Sequence, residues 1–125
     1  MISKKVMVVD DDTSYLQELK ETLILSGYNI VAIDDPDKVV ETALKEEPDV
    51  ILLDLKMPKK TGFQLADQIK HTYGLENIPV IGISGFFKKE YQGLLNLFGI
   101  EKYLQKPFQP LTLLSTIEEV LNKPH

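Results

Sequence analysis

Six side chains that could do chemistry stand directly after short apolar runs of the sequence. They are Asp10, Asp11, Asp12, Asp54, Ser84 and Lys106. Like charges about 4 Å apart repel by roughly 4 kcal/mol at an effective dielectric constant near 20, so a cluster of acids needs a counter-charge. A hard divalent cation that takes oxygen ligands and keeps some water would supply it, which predicts Mg²⁺. The same set also contains a hydroxyl, on Ser84, and an amine, on Lys106.

The apolar runs predict the strands that would position these side chains. They are rich in β-branched residues and nearly continuously hydrophobic, which is typical of parallel strands buried on both faces. We assign them to residues 5–9, 29–33, 49–54, 78–84 and 102–105. Helical patterns separate the runs, which predicts a (βα)₅ doubly wound parallel sheet with helices on both faces. Because the carboxyl ends of parallel strands share one edge, we expect the acids, the hydroxyl and the amine to meet there.

Glycine, proline and capping residues mark the expected ends of the helices. Gly27 should end the first helix, and Pro36 follows a capping Asp35 at the start of the second. The third helix is expected to end near Gly74, and Pro110 stands in the first turn of the last helix. A single acid at a strand end is most often such a cap, so only the convergence of several groups predicts a site.

The composition excludes several classes of function. The 125 residues contain no linker or repeat, so we expect one domain, 1–125. A net charge of −5, with Lys at all 14 basic positions, argues against nucleic-acid binding. The absence of Cys excludes a disulfide framework and a thiolate metal site. The first apolar run stops at an acid and is neither a signal peptide nor a membrane span, so we expect a cytoplasmic protein.

Four motifs, taken in order, closely resemble the receiver domain of two-component response regulators, including the chemotaxis receivers. They are "VVDDD" (8–12), "LLDLKMP" (52–58), "IGISG" (81–85) and "YLQKPF" (103–108). Each motif is weak alone, but the ordered set is specific and covers essentially the whole chain. The resemblance implies the flavodoxin-like strand order 2-1-3-4-5 and a phosphoprotein that carries an aspartyl phosphate in a phosphorelay.

The resemblance implies four roles around the phosphoryl group. Asp54 matches the phosphoacceptor. Ser84 and Lys106 match the hydroxyl and the amine that contact the phosphoryl oxygens. Tyr103 matches an aromatic side chain that often moves on activation, so Ser84 and Tyr103 are the expected switch pair.

The resemblance also divides the acidic triplet. Asp10 and Asp11 match the pair that holds Mg²⁺, with Asp11 as the direct ligand and Asp10 acting largely through water. Asp54 and the backbone carbonyl of Lys56 match the remaining protein ligands of the cation. Asp12 is instead expected to cap the first helix, where a carboxylate can accept from unpaired N–H groups.

The implied protein is a signalling phosphoacceptor, not an enzyme in the usual sense, although it assists its own phosphorylation and dephosphorylation. A histidine kinase or a His-phosphotransfer protein would donate the phosphoryl group. The loop after the fourth strand, with the surface of the fourth helix, fifth strand and fifth helix, would switch and engage a downstream protein target. We expect a monomer or a weak phosphorylation-dependent dimer that binds neither nucleic acid nor membrane. The chain is either stand-alone or excised from a larger regulator or hybrid kinase.

Two pairs of residues near the expected site lead to separate predictions, one on the lifetime of the phosphoryl group and one on partner binding. Lys56 and Phe86 lie two residues beyond the phosphoacceptor and the hydroxyl, where the family's side chains flank the route of the hydrolytic water. A long Lys and a bulky Phe should crowd that route, so we expect slow self-dephosphorylation. Phe87 and Tyr91 are expected to be exposed and to form a partner surface.

Two other functions stay open at this point. Asp10 and Asp12 resemble the acid pair of haloacid-dehalogenase-type phosphatases, although Ser14 stands where that motif has Thr or Val and "LLDLKMP" would have no role. Alternatively, the chain is a pseudo-receiver that binds partners without being phosphorylated.

Overall fold

The structure, a computed structural model, describes residues 3–57, 60–85, 89 and 91–124. These residues form a sheet of five parallel strands, which are β1 Lys5–Val9, β2 Asn29–Ile33, β3 Val50–Asp54, β4 Val80–Ser84 and β5 Ile100–Gln105. The strand order is β2-β1-β3-β4-β5. The predicted (βα)₅ class and the strand order 2-1-3-4-5 are therefore confirmed.

The strand bounds agree with the prediction for β1 and β2, whereas β4 begins two residues later than predicted and β5 two residues earlier. That strand begins at Ile100, whereas the sequence pattern placed its start at residue 102. The register explains the difference, because Val80 pairs with Ile100 while the next residue of β4, Ile81, pairs with Lys102. The extra residue, Glu101, forms an irregularity in the pairing, and the charged pair Glu101 and Lys102 interrupts the apolar run on which the prediction depended.

Helices connect successive strands on both faces of the sheet. They are α1 Thr13–Leu25, α2 Val39–Glu46, α3 Gly62–Lys70, α4 Tyr91–Leu97 and α5 Pro110–Leu121, and a 3₁₀ turn at Pro36–Lys38 precedes α2. The prediction that α3 runs to near Gly74 was wrong. That glycine has a φ of 96° and its N–H donates to the Glu76 carboxylate at 2.7 Å, so it belongs to a separate turn. Among the described residues, no helix combines the length and the apolar composition that crossing a bilayer requires.

The two faces of the sheet bury two hydrophobic clusters. On one face, Met7 and Val9 of β1 pack with the apolar residues of α2, α3 and α4. On the other face, Val6 and Val8 pack with those of α1 and α5. Every residue of β3 and β4 is buried, which is the physical reason why their sequences are continuously hydrophobic.

Side-chain caps begin the two helices that flank the edge where β1 and β3 end. The Asp12 carboxylate accepts from the N–H of Tyr15 at 3.1 Å, as predicted for the first helix. Thr61 and Gln64 form a reciprocal capping box at the start of α3, with distances of 3.2 and 2.8 Å. Such caps satisfy the unpaired N–H groups of a helix start and hold the preceding loop in place.

Candidate functional site

The carboxyl edge of the sheet collects the side chains that the sequence singled out. Asp10 follows β1, Asp54 ends β3, Ser84 ends β4 and Lys106 follows β5. Within the described part of the chain, the buried polar or charged residues are Asp10, Asp54 and Ser84, which are 1%, 6% and 1% exposed. Burying polar groups costs free energy, so the presence of these three described residues at one edge is typical of a functional site.

Three carboxylates lie together at this edge. Oxygen atoms of Asp10, Asp11 and Asp54 lie within 4.8 Å of one another, and Asp11 is exposed while the other two are buried. Burial raises the pKa of Asp54 to about 7, and the charge of Asp10 adds to that rise, while the N–H of Lys56, which donates to Asp54 at 3.1 Å, opposes it. Two buried like charges and an exposed third oxygen donor suit a hard divalent cation that keeps part of its water shell. The donor set therefore fits Mg²⁺.

Asp12 stands apart from this cluster. It is exposed, and its carboxylate caps α1 while its own N–H donates to Asp10 Oδ1 at 3.0 Å. Its backbone thus helps to orient the Asp10 carboxylate, and its side chain points to the helix start. An acid committed to a helix cap is poorly placed to act as a proton donor beside Asp10, which disfavours the phosphatase reading of the pair.

Lys106 forms an ion pair with Asp10. Its Nζ lies 2.8 Å from Asp10 Oδ2, and the two side chains are 22% and 2% exposed. The N–H of Lys106 donates to the carbonyl of Ser84 at 2.8 Å, so the backbone after β5 is anchored to the end of β4. The following Lys106–Pro107 peptide bond is cis. The ammonium also lies close enough to Asp54 to oppose the rise of its pKa.

Sequence reasoning missed Tyr15, which belongs to the same site. The Nζ of Lys106 lies 4.0 Å from the centroid of the Tyr15 ring, and the ring meets Phe108 edge-on with centroids 6.2 Å apart. Burial raises the pKa of Tyr15, and the charges of Asp10, Glu18 and Asp54 add to the rise, so the phenol is neutral. Its position in the first turn of a helix that starts at the acidic edge was the available signal.

Gly62 allows the first turn of α3 to lie against the end of β3. A Cβ at this position would collide with the backbone carbonyl oxygen of Asp54 and would lie 2.6 Å from the Cα of Leu55. The N–H of Gly62 donates to the carbonyl of Leu55 at 3.2 Å. A glycine is needed here because the start of α3 lies against the backbone of Asp54 and Leu55, too close for any side chain.

The remaining predicted residues have mixed outcomes. Lys56 is exposed, and its N–H binds Asp54. The Tyr103 hydroxyl donates to the backbone carbonyl of Ser84 at 3.3 Å, so the expected switch pair is in contact. Phe86 and Phe87 lie outside the described residues.

The expectation that Tyr91 is exposed was wrong. It is half-buried, and its ring packs edge-on against Phe63 of α3 with centroids 5.2 Å apart. Phe63 also contacts Phe98, with centroids 6.0 Å apart. Tyr91, the first residue of α4, therefore packs against α3 because the Phe63 ring of that helix lies beside it.

Comparisons with known proteins agree with this geometry. The family model described as the response regulator receiver domain matches residues 6–118. The structure of the chemotaxis protein CheY4 of Vibrio cholerae superposes with a TM-score of 0.91, at 30% identity, covering 95% of this chain and 99% of that chain. The alkaline phosphatase synthesis transcriptional regulatory protein PhoP of Bacillus subtilis is 35% identical over 69 residues, which are 55% of this chain and 29% of PhoP.

A further structure bears on the metal. The receiver domain of the sensor histidine kinase PA1611 of Pseudomonas aeruginosa has a magnesium ion coordinated in its active-site cleft, with a TM-score of 0.88 at 20% identity and coverage of 98% of this chain and 100% of that one. At that identity the likeness shows the fold. The chain spans between 14% and 34% of the length of the curated relatives PhoP, GraR of Staphylococcus aureus and the two-component regulator of Arabidopsis thaliana that it matches.

Proposed function

Since this chain belongs to the response regulator receiver domain family, it is a receiver module of two-component signalling, and we propose that its phosphoacceptor is Asp54. The observation that carries the proposal is the burial of the Asp54 carboxylate at the end of β3, within 4.8 Å of the Asp10 and Asp11 oxygens. A nucleophile in that position meets an anionic phosphoryl donor where a cation can offset the charges of both.

The transfer step is a displacement at phosphorus. A carboxylate oxygen of Asp54 forms a bond to phosphorus, and the bond from phosphorus to the donor's leaving atom breaks, with the electron pair going to the leaving group. A carboxylate is a weak nucleophile, so positioning and charge neutralisation must carry most of the catalysis. The raised pKa of Asp54, about 7 without a cation, means that added positive charge would also favour its reactive, ionised form.

Asp10, Asp11, Asp54 and the backbone carbonyl of Lys56 would hold Mg²⁺, with Asp11 as the direct ligand and Asp10 acting largely through water. When bound, the cation would neutralise charge on the carboxylates and on the transferred phosphoryl group. The cluster of carboxylate oxygens supports this assignment, and the magnesium ion in the PA1611 receiver domain is consistent with it.

Lys106 and Ser84 would bind the other phosphoryl oxygens. The ammonium is already at the edge of the site, 2.8 Å from Asp10, and Ser84 is the last residue of the neighbouring strand. Movement of the Ser84 hydroxyl towards the phosphoryl group would pull on the loop after β4. Because the Tyr103 hydroxyl binds the Ser84 carbonyl, the same movement would reach the α4-β5-α5 surface.

The partners follow from the chemistry of the site. A histidine kinase or a His-phosphotransfer protein would donate the phosphoryl group, and a downstream protein would read the switched surface. The residues that align with PhoP are only 29% of that protein, so the match does not extend its transcriptional role to this chain.

Phosphorylation with a small donor tests the proposal. The protein is incubated with acetyl phosphate and Mg²⁺, and mass spectrometry detects an added phosphoryl group in the wild type and in Asp54→Asn. We expect labelling that requires both Mg²⁺ and Asp54. Labelling that survives Asp54→Asn but is lost in Asp10→Asn would support the phosphatase chemistry instead, and an unlabelled wild type would indicate a pseudo-receiver.

A further inference from the structure

Two residues contact one tyrosine ring beside the candidate phosphoacceptor. The ammonium of Lys106 lies 4.0 Å over the centroid of Tyr15, and Phe108, two residues further along, meets the ring edge-on at an interplanar angle of 81°. The backbone N–H of Tyr15 donates to the capping carboxylate of Asp12 at 3.1 Å, which anchors the turn of α1 that carries the ring. The loop after β5 therefore contacts the ring itself, and the helix cap anchors its backbone.

The ammonium of Lys106 is confined from two directions. Asp10 Oδ2 lies 2.8 Å from Nζ, and the face of the Tyr15 ring covers another side of the same group. The side chain of Lys106 is only 22% exposed, so little of it is hydrated. A cation held over an aromatic face gains most when it is desolvated, because water no longer screens the attraction of the ring quadrupole.

We propose that Tyr15 is a positioning residue, whose ring face holds the Lys106 ammonium in place for a phosphoryl oxygen on Asp54. This inference rests on the proposed phosphoacceptor and adds a residue that acts through Lys106. A four-carbon Lys side chain has many rotamers. If the ring already restricts them before the reaction, the transfer step loses less side-chain entropy. The ring restricts the ammonium without a second negative charge, which would add to the repulsion among the carboxylates.

The opposing explanation is that the ring merely packs on the aliphatic stem of Lys106, as amphipathic side chains often do. The two explanations differ in what they require of the ring. Positioning requires an aromatic face, so Phe should replace Tyr, whereas Leu should not. Packing alone requires apolar volume, so Leu should serve nearly as well as Phe.

The experiment measures the apparent second-order rate constant for phosphorylation by acetyl phosphate at saturating Mg²⁺. We expect Tyr15→Phe to retain the rate within about two-fold and Tyr15→Leu to lose about 3- to 10-fold, the range that a desolvated cation–π contact implies. Tyr28→Leu is the matched control, because Tyr28 is also partly buried against the same α1/α5 cluster. Equal rates in wild type and Tyr15→Leu, or an equal loss in Phe and Leu, would overturn the proposal.

A double-mutant cycle separates positioning from a general structural role. In a Lys106→Met background, Tyr15→Leu should cause no further loss of rate, because the group that the ring positions is gone. An additional loss of the same size in that background would mean that the ring supports the site independently of Lys106. Thermal unfolding of each variant identifies any rate loss that comes from unfolded protein.

A measurement on the unphosphorylated protein tests whether Lys106 contacts the Tyr15 ring, even if Asp54 is not the phosphoacceptor. The ε-methylene protons of Lys106 should show an upfield ring-current shift in the NMR spectrum, retained in Tyr15→Phe and lost in Tyr15→Leu. The absence of that shift in the wild type would refute the ring contact. A present shift with no labelling by acetyl phosphate would instead refute the phosphoacceptor assignment and, with it, the role of the contact.

Discussion

At the amino edge of the sheet, where the strands begin, charged side chains bind the backbone. The Asp49 carboxylate accepts from the N–H of Lys5 at 2.7 Å, and the ammonium of Lys5 donates to the carbonyl of Glu46 at 2.9 Å. Lys70 likewise donates to the carbonyl of Ile78 at 3.0 Å. At the carboxyl edge, by contrast, buried carboxylates face one another, and burial raises the pKa of Asp54 to about 7.

The difference between the two edges indicates where stability has been given up for function. Charges at the amino edge complete hydrogen bonds that the loops would otherwise lack, so their removal should destabilise the protein. The carboxylates at the carboxyl edge repel one another, so neutralising Asp54 should stabilise the protein while it abolishes the chemistry. The predictions below test this contrast.

The largest loss of stability is expected at Gly62, where the start of α3 contacts the backbone at the end of β3. Gly62→Ala places a Cβ against the Asp54 carbonyl oxygen and the Leu55 Cα, neither of which is a side-chain end that can turn away. We expect a loss of about 3 kcal/mol in the free energy of unfolding, measured by urea denaturation.

Gly93→Ala is the matched control for that substitution. Gly93 lies in α4, is exposed, and a Cβ there would meet nothing within 4 Å. This variant should gain about 0.5–1 kcal/mol from helix propensity. A similar change in both variants would contradict the assigned role of Gly62.

The second effect concerns the cation. Mg²⁺ at about 100 times its Kd should stabilise the wild type by about 2.7 kcal/mol relative to protein in EDTA. Asp11→Ala should lose most of that gain, because it removes the expected direct ligand. The readout is the shift of the thermal midpoint on addition of Mg²⁺.

Asp12→Ala tests whether the neighbouring acid also contributes to Mg²⁺ binding. It should keep the Mg²⁺-dependent gain but lose about 1 kcal/mol of stability with or without the cation, since its carboxylate caps α1. If Asp12→Ala weakened Mg²⁺ binding as much as Asp11→Ala, the division of the acidic triplet would be wrong.

The third prediction compares an Asp→Asn substitution at the carboxyl edge with one at the amino edge, both measured in EDTA. Asp54→Asn should stabilise the protein by about 2 kcal/mol at pH 8, and Asp49→Asn should destabilise it slightly, because an amide oxygen is a weaker acceptor for the N–H of Lys5.

The pH dependence of the Asp54 effect has a definite sign. The pKa of Asp54 rises from 3.8 to about 7 on folding, so its contribution to stability is fully present below pH 3.8 and is lost as the pH rises through 7. The advantage of Asp54→Asn over the wild type should therefore be small at pH 4 and complete by pH 8. An advantage that grows towards acid pH would contradict the assigned shift.

The smallest effect concerns the lifetime of the phosphoryl group. We expect Lys56→Asn/Phe86→Glu to speed self-dephosphorylation several-fold, which corresponds to less than about 1.4 kcal/mol of barrier. Smaller or more polar side chains at these positions should admit the hydrolytic water. Decay of phosphorylated protein after donor removal gives the rates, and an unchanged lifetime would remove the explanation for these two side chains.

Local patterns were sufficient where one physical cause acts on neighbouring residues. The continuous apolar runs of β1 and β3 predicted buried parallel strands, since both faces of those strands are covered by helices. The cap at Asp12 was predictable because it needs only an acid and a helix start within four residues. The early end of α3 was not, because a Gly74 turn held by Glu76 competes locally with another helical turn.

The resemblance to a family gave the strand order and the roles of the residues, which the local pattern could not give. The order β2-β1-β3-β4-β5 depends on which strands pair across long separations in sequence. The half-burial of Tyr91 depends on Phe63, which belongs to another helix. Neither contact leaves a periodic signal in its own segment.

The sequence by itself determined the elements, the caps and the arrival of acids, hydroxyl and amine at one edge, because these follow from burial, helix geometry and the direction of parallel strands. Only the tertiary structure decided the pairing of Lys106 with Asp10, the ring of Tyr15 beneath that ammonium and the close approach of Gly62 to Asp54. These are distances between atoms from different elements, which packing determines and which residue types and spacing do not encode.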